Sequence, residues 1–109
     1  MENKDYMDNK DKKDIKILIV DDVTKNIQLA ASILQKEGYS IGFADNGKSA
    51  LNIIENTDYD LILLDVMMPL MDGYEVCKKI KEKPEKAKIP IIFLSSRNDT
   101  ESIVKGFEL

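Results

Sequence analysis

Short continuous runs of apolar residues recur along the chain. They are IKILIV (15–20), YSIGFA (39–44), DLILLD (60–65) and KIPIIFLSS (88–96). The first and third runs each contain four consecutive apolar residues, as is typical of strands that are covered on both faces, whereas the second is a weaker example. The pattern therefore predicts four strands, the first of which begins near Ile15.

Longer amphipathic stretches separate these runs. Apolar residues at helical spacing predict a helix over residues 25–37 and a second helix that opens at the Asn-Gly pair 46–47. A third helix follows the Asp-Gly pair 72–73, which is expected to form a turn and helix cap. A fourth helix is predicted over residues 100–109. Strands and helices thus alternate from Ile15 to the last residue.

This alternation predicts an α/β protein with a doubly wound parallel sheet. A strand that is followed by a helix and then by a parallel strand needs a crossover, and the helices come to lie on the faces of the sheet. In such folds, ligands bind beyond the carboxyl ends of the strands, near the point where the strand order reverses. The residues that end each predicted strand are therefore the first candidates for a site.

The first 14 residues, MENKDYMDNKDKKD, differ from the rest of the chain. They carry charges of both signs and almost no apolar residues that could be buried. Segments of this composition are typically disordered. We therefore expect a disordered charged leader over 1–14, followed by one domain over 15–109.

The composition limits the classes of partner and of site. The 109 residues have a net charge of −4, which disfavours a broad electrostatic attraction to nucleic acid and favours a protein partner. Cys77, the only cysteine, is expected to be a small core residue, and there is no histidine. Carboxylates and hydroxyls remain as the chemical groups, and oxygen ligands suit Mg²⁺ or Ca²⁺. No apolar run is long enough for a membrane span, so we expect a cytoplasmic protein.

Acidic and hydroxyl residues stand at the ends of three predicted strands. Asp21 and Asp22 end the first, Asp65 ends the third, and Ser95 and Ser96 end the fourth. Three carboxylates at one sheet edge repel one another, and a divalent cation such as Mg²⁺ would neutralise them. A carboxylate can also act as a nucleophile toward a phosphoryl group. Asp65, alone at the end of an apolar strand, is the natural acceptor.

Three motifs carry a resemblance to a known family. Together, ILIVDDVTKN, DLILLDVMMPLMDGYEV and IPIIFLSSR resemble the receiver domain of bacterial two-component response regulators, over about residues 15–109. The resemblance implies the flavodoxin-like receiver fold with strand order 2-1-3-4-5, of which this sequence lacks the fifth strand and fifth helix. It implies a signalling module that is not an enzyme, and whose phosphorylation switches an output partner or surface.

The resemblance also implies a role for each matching residue. Asp65 would accept a phosphoryl group from a histidine kinase or phosphotransfer protein. Mg²⁺ would be bound by Asp22, by Asp65 and by the backbone carbonyl of Met67, with Asp21 acting through water. The remaining implied positions are the switch hydroxyl at Ser95, with Ser96 as the alternative, and the loop-shaping residues Pro69 and Gly73.

The sequence departs from the family pattern at its end. The phosphoryl-contacting lysine that normally ends the fifth strand is absent from this chain. Without a fifth strand, the fourth would be an uncovered apolar edge, and such edges favour self-association.

Other functions were weighed against this one. A phosphatase resembling the haloacid dehalogenase family would need a second aspartate two positions after the nucleophile, where this chain has Met67. A flavin-binding electron carrier would need a phosphate-binding loop after the first strand, which is absent. A phosphorylation-independent docking domain stays open as the alternative.

Overall fold

The computed structural model describes residues 14–94. Within them, four strands form, each from one of the apolar runs: β1 (Lys16–Val20), β2 (Ser40–Ala44), β3 (Leu61–Asp65) and β4 (Ile91–Leu94). Branched aliphatic side chains fit the pleated, covered surface of such strands. The last four residues of β1 are all buried, as its continuous apolar pattern predicts. The expected leader and the predicted fourth helix lie outside the described residues, except for Asp14.

Three helices connect the strands: α1 (Thr24–Lys36), α2 (Gly47–Asn56) and α3 (Gly73–Lys81). The first helix was predicted over 25–37 and is displaced by one residue at each end. The predicted start signals for the other two helices are confirmed, because the side chains of Asn46 and Asp72 accept hydrogen bonds from the backbone N–H groups of Ser49 and Glu75. None of the helices between residues 14 and 94 has the length and apolar character needed to cross a bilayer.

All four strands are parallel, in the order β2-β1-β3-β4. This order confirms the predicted doubly wound sheet and matches the first four strands of the order 2-1-3-4-5. The chain moves from β1 outward to β2, then returns across β1 to β3, so the direction of winding reverses between β1 and β3. A crevice is therefore expected at the carboxyl ends of these two strands.

The main core lies on one face of the sheet, under α2 and α3. It is formed by alternate residues of β1 and β3 together with the apolar sides of the two helices; its fully buried members are Leu18, Val20, Ala50, Ile62, Leu64, Val76 and Ile80. Cys77 is 2% exposed and belongs to this core, as predicted. The burial of each large aliphatic side chain stabilises the fold by about 1.5–3 kcal/mol. This core holds β1 and β3 side by side and fixes the level at which both strands end.

The opposite face is covered by α1, which packs on β1 and β2. Ile27 of this helix is buried, whereas Leu29 and Ile33 are 64% and 55% exposed. On β4, at the far end of the strand order from β2, Ile92 is 48% exposed. The helix therefore covers this face only in part among the described residues.

Candidate metal centre at the carboxyl edge of the sheet

The acidic residues predicted to form a site are brought together. Val20 of β1 is in register with Leu64 of β3, so the residues that follow, Asp21 and Asp65, reach the sheet edge at the same level. One carboxylate oxygen from each of Asp21, Asp22 and Asp65 lies within 4.8 Å of the other two. Asp21 and Asp65 are buried and Asp22 is exposed. The cluster therefore has two carboxylates in the crevice and one at its mouth.

Asp21 is held by hydrogen bonds on both sides. Its Oδ1 accepts from the backbone N–H of Val23 at 2.9 Å, and its Oδ2 accepts from the side-chain amide of Asn26 at 3.2 Å. Its own backbone N–H donates to the carbonyl of Ala44 at 3.1 Å, which fixes it to β2. Val23 is the N-cap residue before α1 and provides no side-chain cap, so Asp21 accepts a hydrogen bond from one of the free N–H groups at this helix end.

Asp65 has fewer hydrogen-bond donors. Its Oδ1 accepts from the backbone N–H of Met67 at 3.3 Å. Burial raises the pKa of Asp65, and the nearby Asp21 carboxylate adds to this effect, so that the pKa reaches about 7. A negative charge on Asp65 is therefore disfavoured unless a cation or a positively charged group comes close.

The loop after β3 shapes the site through its backbone. The N–H of Met71 donates to the carbonyl of Pro69 at 2.7 Å, and Leu70 between them has a φ of 71°, which is the pattern of a γ-turn. Gly73 then donates to the carbonyl of Val66 at 3.0 Å. A Cβ atom at Gly73 would collide with the backbone carbonyl of Asp65, so the absence of a side chain lets α3 begin directly beside this residue.

A groove runs from the acidic cluster along α1. Its volume is about 360 Å³, and it is lined by Asp21, Asp65, Asn26 and Leu94, together with Leu29, Ala30 and Ile33. The groove joins a polar end, where the carboxylates lie, to an apolar wall on the helix. Its position between β1 and β3 is the one that the reversal of winding predicts.

The donor set fits a hard divalent cation. Every clustered side chain offers carboxylate oxygens, and Mg²⁺ prefers such ligands while it keeps several of its waters. A cation would stabilise the charged form of Asp65, whose pKa is raised first by burial and then by the neighbouring Asp21 carboxylate. The exposed Asp22 lies on the solvent side of the cluster, where an ion would enter.

The other predicted site positions fall into two groups, of which one lies within the described residues and one outside them. Met67 and Pro69 lie on the loop that follows Asp65, and Gly73 is the first residue of α3, directly beside Asp65. Ser95 and Ser96 lie outside the described residues. Asn26 was not predicted as a site residue. Its position in the first turn of a predicted helix, five residues after Asp21, is the sequence signal that could have found it.

The comparisons with known proteins identify a family. The family model described as the response regulator receiver domain matches residues 17–109. The transcriptional regulatory protein ResD of Bacillus subtilis is 45% identical over 93 residues, which are 85% of this chain and 38% of that protein. The response regulator PleD of Caulobacter vibrioides is 38% identical over 93 residues, 85% of this chain and 20% of that protein. The chain thus spans less than half of either relative.

Solved structures agree with this match. The chemotaxis protein CheY4 of Vibrio cholerae superposes with a TM-score of 0.80 at 31% identity, covering 86% of this chain and 78% of that one. The response regulator TrrA of Thermotoga maritima, in complex with Mg²⁺ and BeF, gives a TM-score of 0.76 at 35% identity, covering 85% of this chain and 79% of that one. The sheet order, the acidic edge and these matches lead to one conclusion: the chain belongs to the family of response regulator receiver domains.

Proposed function

We propose that this chain is the phosphoryl-accepting receiver module of a two-component phosphorelay. A histidine kinase or phosphotransfer protein donates the phosphoryl group, Asp65 accepts it with Mg²⁺ bound, and the change switches an output partner or surface. The observation that carries the proposal is the clustering of three carboxylate oxygens within 4.8 Å at the carboxyl edge of the sheet. Membership in the receiver family supports it.

Asp65 is the residue best suited to accept the group. It ends β3, belongs to the cluster and lines the groove, whereas Asp21 already accepts two hydrogen bonds. In the transfer, a carboxylate oxygen of Asp65 forms a bond to phosphorus while the bond from phosphorus to the donor histidine nitrogen breaks, leaving neutral imidazole on the donor after proton exchange. The product is an acyl phosphate on Asp65.

The cation site is assigned to Asp22, Asp65 and the backbone carbonyl of Met67, with Asp21 acting through water. When bound, Mg²⁺ offsets the negative charges of the carboxylates and of the incoming phosphoryl group. The solved TrrA structure, which contains Mg²⁺ and BeF, supports this assignment at 35% identity. The fixed position of Asp21 is consistent with an indirect role.

The assignments outside the cluster complete the proposal. Ser95, or alternatively Ser96, provides the hydroxyl that contacts the phosphoryl group, and Pro69 and Gly73 hold the loop beside the acceptor.

The module acts in the cytoplasm through protein contacts, without nucleic-acid contact by this segment. A second copy could also pair along β4, which size-exclusion chromatography with light scattering would detect as a concentration-dependent increase in mass.

The decisive test is intact-mass spectrometry after incubation with acetyl phosphate and Mg²⁺. We expect one phosphoryl adduct that requires Mg²⁺, is removed by hydroxylamine and is absent from an Asp65→Asn variant. Asp60→Asn is the matched control, because Asp60 precedes β3 at the opposite end of the strand, where its carboxylate accepts the backbone N–H of Lys16. That variant should keep the adduct. A wild-type chain that never forms the adduct would contradict the proposal and favour a phosphorylation-independent docking domain.

A further inference from the structure

The side-chain amide of Asn26 contacts the acidic cluster from the first turn of α1. It donates to Oδ2 of Asp21 at 3.2 Å, while the N–H of Val23 donates to Oδ1 of the same carboxylate at 2.9 Å. Both oxygens of Asp21 therefore accept hydrogen bonds from α1 and the residue before it. Such a carboxylate is held in one orientation, because rotation would break two bonds at once.

The other two carboxylates are held less firmly. Asp65 accepts one backbone hydrogen bond, from Met67, and shares a second hydrogen bond with the side chain of Asp22. A hydrogen bond between two carboxyl groups needs a proton, which an incoming cation replaces, so Asp22 and Asp65 can each turn an oxygen directly toward the cation. Asp21 is not free to do so while the amide of Asn26 holds its Oδ2.

The number of carboxylates that can touch an ion directly affects which ion binds. Mg²⁺ keeps several waters and is usually held by one or two carboxylates, whereas Ca²⁺ takes six to eight oxygen ligands in flexible arrangements. A third direct carboxylate therefore helps Ca²⁺ more than Mg²⁺. A residue that withholds this third ligand favours Mg²⁺.

We propose that Asn26 is a positioning residue that keeps Asp21 from contacting the cation directly and so favours Mg²⁺ over Ca²⁺. This inference rests on the proposed function, since it takes the acidic cluster to be a Mg²⁺ site. Asn26 touches neither the ion nor the phosphoryl group in this role and acts through Asp21 alone.

The experiment measures the dissociation constants of Mg²⁺ and of Ca²⁺ for the full chain by isothermal titration calorimetry. Removal of a residue that hydrogen-bonds to a metal ligand typically changes metal affinity by roughly tenfold or more. We therefore expect Asn26→Ala to lower the ratio of the Ca²⁺ dissociation constant to the Mg²⁺ dissociation constant by roughly tenfold, which means relatively tighter binding of Ca²⁺. A general loss of structure would weaken both ions together and leave this ratio unchanged.

Two further variants make the test specific. Asn26→Asp keeps the size of the side chain but removes the donor, and it should shift the ratio in the same direction. In an Asp21→Asn background, Asn26→Ala should no longer change the ratio, because the carboxylate on which it acts is gone. Asn56→Ala is the matched control: the Asn56 side chain donates to the carbonyl of Asn52 in the last turn of α2, and its removal should not affect the ratio.

The outcomes separate this inference from the proposed function. A wild-type chain that binds Mg²⁺ and forms the phosphoryl adduct, with an unchanged ratio in Asn26→Ala, would overturn the inference alone. The same holds if Asn56→Ala shifts the ratio equally, or if the effect of Asn26→Ala persists without the Asp21 carboxylate. A wild-type chain that binds no Mg²⁺ would overturn the proposed function, and this inference with it.

Discussion

At the scale of residues, the burial of two site carboxylates is electrostatically unfavourable. Asp21 and Asp65 are only 4% and 6% exposed, and carboxylates are seldom so buried without a compensating charge. Hydrogen bonds from α1 compensate Asp21, but Asp65 has a single backbone donor and a pKa raised to about 7 by burial and by Asp21. The metal-free protein therefore contains a local destabilisation that a cation can remove.

This destabilisation predicts the pH dependence of the metal-free protein. Between about pH 4 and about pH 7, folded Asp65 retains a proton that it has lost in the unfolded chain, so the free energy of unfolding falls as the pH rises through this window. An Asp65→Asn variant lacks this penalty. Since one pKa unit corresponds to about 1.4 kcal/mol, we expect the Asp65→Asn variant to be at least about 1 kcal/mol more stable than wild type at pH 7.5.

Urea denaturation in EDTA at pH 5 and pH 7.5 measures this difference. Wild type and variant should be closer in stability at pH 5, where Asp65 is largely protonated in the folded state. Equal stabilities at pH 7.5, or a variant less stable than wild type, would show that Asp65 carries no such penalty.

Gly73 is the second residue with a predicted effect. A Cβ atom there would overlap the carbonyl of Asp65 and come within 2.9 Å of the Cα atom of Val66, and backbone cannot move aside as a flexible side chain can. We expect Gly73→Ala to lower the free energy of unfolding by about 1–3 kcal/mol, typical of overpacking, and to weaken Mg²⁺ binding.

A matched comparison separates displacement of the site from simple destabilisation. Gly38 follows α1 with a φ of 99°, so Gly38→Ala is also strained, but at the opposite end of that helix from the site. Calorimetric titration with Mg²⁺ should show reduced affinity for Gly73→Ala only. A Gly73→Ala chain that binds Mg²⁺ as wild type does would contradict a role for this glycine at the site.

At the scale of elements, each of the three helices within residues 14–94 begins at the edge where the acidic cluster lies. The first turns of α2 and α3 are capped by Asn46 and Asp72. The N-cap residue of α1, Val23, provides no side-chain cap, and its own N–H donates to Asp21. The positive end of the α1 dipole thus stabilises a site carboxylate instead of being satisfied locally. Helix α1 therefore differs from α2 and α3, because the donors at its N-terminus hold a carboxylate of the site.

The cap of α3 can be tested separately from the site. Asp72 accepts from the N–H of Glu75 at 2.9 Å, so Asp72→Ala should lower the free energy of unfolding by about 1 kcal/mol. Asp72→Asn keeps an acceptor and should lose much less. Thermal unfolding monitored by circular dichroism measures both, and equal losses would show that the hydrogen bond is not the source of the effect.

At the scale of the whole molecule, the sequence predicted the sheet, its parallel strands and the meeting of the three aspartates. These features depend on apolar periodicity and strand ends, which are local properties of the chain. Features that depend on tertiary contacts were missed: the amide of Asn26 reaching Asp21, and Lys86, which is 7% exposed and pairs with Asp58 at 2.9 Å. A lysine in a charged stretch predicts a solvated side chain, and only the packed fold shows that this one is buried.

The assembled site should make the stability of the whole molecule depend on Mg²⁺. An ion that binds only the folded state raises the free energy of unfolding by about 2.7 kcal/mol at a hundred times its dissociation constant. We expect the melting temperature to rise with MgCl₂ but not with KCl of equal ionic strength, and Asp22→Asn to reduce the rise. A melting temperature that is insensitive to Mg²⁺ would contradict a preformed cation site.

The contact between Tyr74 and Phe93 has a practical consequence. Their ring centroids are 5.2 Å apart, so this pair joins the first turn of α3 to β4, close to the loop that follows Asp65. The chain has no tryptophan, and tyrosine emission is therefore not masked by a stronger fluorophore. Tyr74 is one of four tyrosines, so the difference in emission between wild type and a Tyr74→Phe variant provides a native optical probe, close to the site, of whether the helix and the strand stay together.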